Sequence, residues 1–297
     1  MSRPSAEAAP PGPHRAIFAT DLDRTLIYSA AAAGLGSEEG EEDVAAVDPL
    51  EGAVGVEVYD GRTISYVTPG FADLLEQVRR RCTVVPVTTR TRAQYERIAL
   101  PGPRPTWAIV ANGGVLLHDG EPDGVWAAEV QAAMAATTDA DLDEVVAWLG
   151  EVAAPYIDHV RVADGFFAYT IVDRSAMPSA AADELDEWLR ARGWRLSVQG
   201  RKLYAVPSAV TKSGAVSALA HRLGADLVVA AGDSHLDRDL LDIAHVSIRP
   251  SHGELHDAGA DAHVITVRSG IGAAEEILHA VLAALDGDLS GTAVGPG

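Results

Sequence analysis

The chain has 297 residues, of which 47% are hydrophobic and 22% charged. That balance is globular, argues against wholesale disorder and, at roughly 100–200 residues per domain, suggests two domains. Lys and Arg number 23 against 43 Asp and Glu, a net charge of −20, which argues against nonspecific binding to nucleic acid or anionic lipid. An anionic substrate must then be held by local cations or a bound metal.

Met1 to Pro13 is rich in Ala and Pro and lacks the apolar stretch of a secretory signal. It is expected to be a disordered arm on a cytoplasmic protein. No apolar run approaches the ~18 residues of a membrane helix. Ala16 to Thr20 is a short apolar run, consistent with a buried strand. Residues 37–48 begin as Ser-Glu-Glu-Gly-Glu-Glu-Asp and read as an acidic, mobile loop. Val54 to Tyr59 and Thr63 to Val67 flank Asp60-Gly61, a hairpin turn. Thr68-Pro69 reads as an N-cap with a first-turn proline, opening a helix to about Arg80. Thr83 to Val87 is the next strand; the chain's single cysteine, Cys82, directly precedes it and reads as a reduced core residue. Arg92 to Ala99 is the next helix, and Ala108 to Ala111 a third strand, closed by Asn112-Gly113-Gly114.

This alternation of strand and helix implies parallel βαβ units. The rhythm then changes. Asp139 to Leu149 is expected to be helical, and His159 to Ala163 and Phe166 to Val172 form a hairpin around Asp164-Gly165. Ala181 to Arg192 is an amphipathic helix, followed by a hairpin of Arg195 to Val198 and Leu203 to Val206. Alternation resumes with a helix from Ser213 to His221, strand Leu227 to Ala230, a helix near Leu236 to Ile243, strands at His245 to Ile248 and His263 to Val267, and a last helix from Ala273 to Ala284. The expected fold is therefore α/β: a Rossmann-like parallel core, residues 14–114 and 207–286, interrupted by an α+β module, residues 115–206. Residues 287–297 read as a flexible tail.

Chemistry gathers where buried strands end, the usual crevice of an open parallel sheet. Asp21-Leu22-Asp23 directly follows the first strand. Two carboxylates there are costly unless a metal or a reaction needs them. A second pair, Asp141-Leu142-Asp143, lies three residues after Thr138 and reads merely as a capped helix start. Asp233 and Asp237, in Gly232-Asp233-Ser234-His235-Leu236-Asp237, follow another buried strand and share a face if a helix begins there. The alternative is a glycine turn with an Asp cap. Such oxygen ligands suit Mg²⁺ with a phosphate. Thr88-Thr89-Arg90 offers hydroxyls to a phosphate or an N-cap to the next helix. Lys212 sits where the chain returns to the core.

Together these segments resemble the haloacid dehalogenase (HAD) superfamily of phosphotransferases. Its D-x-D-x-T pattern corresponds to Asp21, Asp23 and Thr25, its strand-ending hydroxyl to Thr88, its lysine to Lys212, and its G-D-x-x-x-D to Gly232, Asp233 and Asp237. The insertion after Asn112-Gly113-Gly114 resembles the C2-capped branch, which includes Cof-like, sucrose-phosphate and trehalose-phosphate phosphatases. Arg24 stands where Gly is common, and Leu236 where Asn is frequent.

The resemblance implies a HAD-type phosphoric monoester hydrolase acting on a small phosphorylated metabolite, a sugar phosphate or nucleotide-like compound. Asp21 would be the nucleophile, Asp23 the general acid and base, and Lys212 a further catalytic group. Asp21, Asp23 (through its carbonyl), Asp233 and Asp237 would form the Mg²⁺ site. Thr88, Thr89, Arg90, Asn112 and Gly113 are expected at the substrate, joined by Arg201 and Lys202 on a cap hairpin; for the last two a solvated turn is the alternative. A phosphomutase uses the same core, and a non-catalytic phosphate-binding module is the rival of another class. His252-Gly253-Glu254-Leu255-His256 lacks the spacing of a zinc protease site. Trp188 and Trp194 read as cap core.

Overall fold

The computed structural model describes residues 15–34, 50–199 and 201–288. The expected N-terminal arm, the acidic loop 37–48 and the tail beyond Asp288 lie outside the described residues. The strands are β1 (Ala16–Thr20), β2 (Val54–Tyr59), β3 (Arg62–Val67), β4 (Thr83–Pro86), β5 (Trp107–Val110), β6 (Val115–His118), β7 (Glu121–Pro122), β8 (Arg161–Ala163), β9 (Phe167–Ile171), β10 (Trp194–Gln199), β11 (Lys202–Pro207), β12 (Leu227–Ala231), β13 (Val246–Arg249) and β14 (Val264–Ile265). The helices are α1 (Ala30–Ala33), α2 (Phe71–Arg79), α3 (Arg92–Tyr95), α4 (Gly124–Thr137), α5 (Leu142–Val152), α6 (Ala181–Arg190), α7 (Lys212–Leu223), α8 (Arg238–Asp242), α9 (Glu254–Asp257) and α10 (Ala273–Asp286).

A parallel sheet in the order β14-β13-β12-β1-β4 forms the centre, as the fold class requires. β1 is buried at every residue because both its faces are covered, which is why it reads as an unbroken apolar run. It pairs with β12 from Ala16↔Leu227 to Thr20↔Ala231 and with β4 from Ile17↔Thr83 to Thr20↔Pro86. Alternate side chains serve opposite faces. Phe18 packs with Phe71, Leu75 and Val78 of α2 and Ile277 and Val281 of α10. Ile17 and Ala19 pack with Val216 and Leu219 of α7 and Leu240 of α8. Full burial of each large side chain stabilises by about 1.5–3 kcal/mol, so these two clusters fix the strand ends that carry the site. Cys82 lies in the first cluster, where burial pushes its thiol up to about 12.

β5 joins β4 through a single parallel bridge, Val87↔Ile109, then folds back as an antiparallel β5-β6-β7 sheet. The expected cap boundary at Val115 therefore falls inside a hairpin whose Leu116 and Leu117 pack into the core clusters. Beyond it, β10-β11-β9-β8 form an antiparallel sheet. Leu185 of α6 and Leu149 of α5 pack on Leu203 of this sheet. Trp194 is fully buried, its indole N–H donating to the Ala140 carbonyl (2.9 Å), and Trp148 stacks on Trp188, in keeping with a cap core.

Several local expectations are corrected. Thr68 is not an N-cap: its hydroxyl donates to Glu275 Oε1 (2.5 Å), and α2 begins later, after Gly70. Thr138 closes α4, donating to the Met134 carbonyl, while Asp141 itself caps α5 by accepting from the Glu144 N–H (2.8 Å). The 14-residue α4 is not expected from the sequence, because its Ala-rich run has no one-sided apolar stripe. Among the described residues no helix is long and apolar enough to cross a membrane.

Candidate active site

The Asp21 N–H donates to the Ala231 carbonyl (2.9 Å), extending the β1–β12 ladder by one residue. This sets Asp21 beside the loop that carries Asp233. Lys212, fully buried at the start of α7, spans the gap. Its Nζ donates to Asp21 Oδ1 (2.7 Å) and to Asp237 Oδ1 (2.5 Å). Asp237 Oδ2 in turn accepts from the Asp233 N–H (3.2 Å), the Ser234 N–H (2.9 Å) and the Ser234 hydroxyl (2.7 Å). Asp237 thus holds Lys212 on one oxygen and shapes the Asp233 loop with the other. Expected on the metal, Asp237 keeps its carboxylate in the oxygen cluster that could hold one while both its oxygens accept hydrogen bonds.

Oxygens of Asp21, Asp233 and Asp237 lie within 4.8 Å of one another. Burial, followed by the charges of Asp21 and Asp237, pushes the Asp233 carboxyl well above its ordinary range. Burial also lifts Asp21 to about 7; Lys212 opposes this, while Asp237 and Asp23 add to it. For Lys212 burial works against the charge, but the attraction of Asp21 and Asp237 outweighs it and keeps the ammonium protonated. One buried cation for three buried carboxylates leaves a deficit of positive charge. Among the described residues, Asp21 Oδ2 receives only a long contact from Thr25 (3.5 Å), and the Asp233 carboxylate only the Arg24 guanidinium at 3.5 Å. A cluster of under-satisfied, hard oxygens fits Mg²⁺. Gly253 keeps the space open: at φ 92° it lies so close that a Cβ would stand 2.6 Å from Asp233 Oδ2.

Asp23 points elsewhere. Arg90 grips it bidentately, Nε to Oδ2 and Nη2 to Oδ1, both 2.7 Å. Burial raises the Asp23 carboxyl, but the Arg90 hydrogen bonds and charge win and hold it below its usual value. Its side chain is 49% exposed, to the cavity rather than to the outer surface. Arg90 Nη1 reaches Glu57 Oε1 (2.7 Å), and Glu57 also accepts from Ser65 Oγ (2.6 Å) and Arg97 Nε (3.3 Å). Burial alone would raise Glu57, but these donors hold its carboxyl below the ordinary range. Arg90, expected at the substrate, is thus spoken for by two carboxylates in this state.

Glu57 was not foreseen. It sits at a bulge in β2, where the register shifts between Gly55 and Glu57 and again between Glu57 and Val58. The bulge turns both Val56 and Glu57 inward, which strict alternation forbids. Arg24 adopts φ 64°, the left-handed region that explains why Gly suits this position. The His252 Nε2–H donates to the Arg24 carbonyl (2.8 Å), and Nδ1 accepts from the Gly270 N–H (3.1 Å). Both ring nitrogens are occupied in bracing this turn, and burial holds the imidazole below its usual pKa.

A cavity of about 540 Å³ opens over Asp21. Asp23, Thr89, Arg90 and Asp233 line its core side, and Tyr169, Arg201 and Lys202 its cap side. Thr88 lies beneath it, fully buried, its Oγ1 accepting from the Arg90 N–H (3.1 Å). Asn112 and Gly113, expected at the substrate, lie instead at the seam where the chain leaves and rejoins the core. Asn112 Nδ2 donates to the Val210 carbonyl (3.1 Å), and a Cβ on Gly113 would overlap the Thr211 carbonyl.

Solved structures share this fold. The sucrose-phosphatase from Synechocystis sp. PCC6803, in complex with sucrose and phosphate, is 16% identical at a TM-score of 0.62, over 92% of this chain and 98% of that one. A phosphatase of the haloalkanoate (HAD) enzyme superfamily from Bacteroides thetaiotaomicron is 12% identical at 0.52, over 95% and 100%. A trehalose-6-phosphate phosphatase related protein is 13% identical at 0.51, over 92% and 100%. No protein-family model and no curated protein matches the sequence. The chain therefore has the fold of the capped HAD phosphatases, as its motifs suggested.

Proposed function

We propose that the protein is a Mg²⁺-dependent phosphomonoesterase that hydrolyses a small phosphorylated metabolite through an aspartyl-phosphate on Asp21. The observation that carries this reading is the Asp21 carboxylate, tethered by buried Lys212 at 2.7 Å, next to Asp233 at the floor of an open cavity. A sucrose-phosphatase of the same fold, solved in complex with sucrose and phosphate, supports a sugar phosphate as the substrate class. We assign the core to residues 14–114 and 207–286 with the β5-β6-β7 hairpin added, and the cap to the segment from α4 to β11. A cytoplasmic setting suits the lone buried thiol of Cys82.

Asp21 Oδ2, the oxygen not tethered by Lys212, attacks phosphorus. The bond from phosphorus to the leaving oxygen breaks as Asp23 delivers its proton there. Asp23 then takes a proton from water, which attacks the phosphoryl group on Asp21, freeing phosphate and restoring the carboxylate. Lys212 offsets charge on the phosphoryl oxygens, and Thr89 lies in the cavity wall for a further contact. Asp21, Asp233 and the Asp23 carbonyl would hold Mg²⁺, which supplies charge neutralisation at the phosphoryl oxygens. To act as an acid Asp23 must leave Arg90, so cap closure or substrate has to break the bidentate pair.

Rapid quench and mass spectrometry of the Asp23→Asn variant with p-nitrophenyl phosphate tests the reading. The phosphoryl group is expected on the peptide containing Asp21, and Asp21→Asn should abolish turnover. A label on any other residue, or wild-type turnover by Asp21→Asn, overturns the assignment.

A further inference from the structure

The cavity's cations are not equally engaged. Lys212 is claimed by Asp21 and Asp237, Arg90 by Asp23 and Glu57, and Arg97 by Glu57. Arg24, Arg201 and Lys202 also line the cavity, yet none has a hydrogen-bonded carboxylate among the described residues. Arg24 Nε is buried without a hydrogen-bond partner, and its nearest carboxylate, Asp233, stands 3.5 Å away. Arg201 and Lys202 are exposed at the tip of the β10–β11 hairpin, on the opposite wall. The remaining carboxylate of the lining, Glu254, accepts from the His235 N–H (3.1 Å).

The chain has 43 Asp and Glu against 23 Lys and Arg, yet these three cations lie together on one cavity without a hydrogen-bonded carboxylate among the described residues. Arg24 is retained at a backbone cost. A left-handed φ of 64° disfavours any residue with a Cβ, by about 1–2 kcal/mol, and Gly would carry no such strain. What Gly would lack is the guanidinium in the cavity. The scissile phosphoryl group, seated at Asp21, already faces Lys212, so these three cations lie in excess of its needs. Phe167, Tyr169 and Tyr204 supply an apolar cap wall for the rest of the substrate.

The geometry points to a substrate whose leaving group carries a second anionic group, a carboxylate or another phosphate, held by Arg24 from the core and by Arg201 and Lys202 from the cap. This rests on the phosphomonoesterase reading only for the place of the scissile phosphate. Guanidinium groups bind such anions through paired, charge-assisted hydrogen bonds. Cap closure would bring the two walls together around that anion, coupling substrate choice to closure.

Matched pairs of ligands test it: glycerol 3-phosphate against 3-phosphoglycerate, and glucose 6-phosphate against glucose 1,6-bisphosphate. Affinities are measured by calorimetry on the full chain carrying Asp21→Asn with Mg²⁺ present, and kcat/KM on the native chain. At least one pair should favour the member with the extra anion, on the order of 10–100-fold. Arg201→Gln with Lys202→Gln, and separately Arg24→Gly, should shrink that ratio towards one. Arg24→Gly should do so without lowering the thermal midpoint, which a purely structural role would not allow. A ratio near one for both pairs, or variants that weaken both members equally, overturns the inference by assigning the cations to the scissile phosphate. Binding preference without any phosphate release would sink the phosphatase reading and leave this one standing.

Discussion

Replacing Lys212 with Met would test how the buried charges are balanced. The ammonium is fully buried and hydrogen-bonded to Asp21 and Asp237 at 2.7 and 2.5 Å. Removing one partner of a buried ion pair typically costs about 3–5 kcal/mol, because the remaining charge is left uncompensated. Domains are stable by about 5–15 kcal/mol, so the variant should fold but be weakened. The deficit should depend on pH in a definite sense. In the native chain Asp21 is raised from 3.8 to about 7. Between those values the folded chain binds a proton that the unfolded chain does not, so stability falls as pH rises through that window. Without Lys212 the window extends further upward. Each pH unit of extension is worth about 1.4 kcal/mol for each proton. Urea denaturation followed by tryptophan fluorescence, without metal, should therefore show a larger deficit at about pH 8.5 than at about pH 6. Mg²⁺, expected to bind only the folded form, should stabilise both proteins. An equal deficit at the two pH values, or one under about 1 kcal/mol, would refute the claim that Lys212 compensates ionised carboxylates.

Asp23→Asn should lower kcat on a sugar phosphate by about 10²–10⁴-fold, and less on p-nitrophenyl phosphate, whose leaving group needs little protonation; equal losses would deny Asp23 the acid role. Glu57→Gln should cost about 1–3 kcal/mol and reduce kcat/KM, since Arg90 and Asp23 lose their anchor. Because the Glu57 carboxyl is held below its ordinary 4.5, its contribution is full above that value and is lost as pH falls through its lower folded pKa, which acid titration of the variant against the native chain would show. Gly253→Ala should weaken Mg²⁺ binding in calorimetry, as its Cβ would press on Asp233 Oδ2 at 2.6 Å. Exhaustive EDTA should abolish phosphate release and Mg²⁺ restore it; activity that survives removes the metal from the reaction.

The sequence showed Asp21 and Asp233 clearly because each follows a strand buried on both faces, and such strands read as unbroken apolar runs. Lys212 was visible only by its position before a helix. What stayed hidden depended on contacts distant in the chain. Arg90 meets Asp23 across 67 residues and Glu57 across 33, so its pairing has no local signature. Glu57 owes its burial to a bulge, and a Glu between two valines looks like the solvent face of any hairpin strand. Asn112 and Gly113, which close a strand in the sequence and are expected there at the substrate, take left-handed backbone instead at the base of the cap. Their left-handed conformations serve the seam with Val210 and Thr211, which no spacing could indicate.

The pairing of β1 with β12 also bears on how the protein is made. When β1 and β4 have left the ribosome, one edge of β1 is bare, since Ala16 to Thr20 pair there only with Leu227 to Ala231. At about 5–20 residues per second, the roughly 140 residues between β4 and β12 take about 7–30 s to synthesise. For that interval an apolar strand has an open edge, a known invitation to aggregation. The cap, built from hairpins and helices close in sequence, can fold meanwhile. Asn112 contacts Val210 at the base of the cap, so a folded cap brings the two halves of the core together and shortens the search for register. Asp21 meets Lys212 and Asp233 only at the end of this process, and a nascent chain stalled before β12 holds Asp21 in a site that does not yet exist.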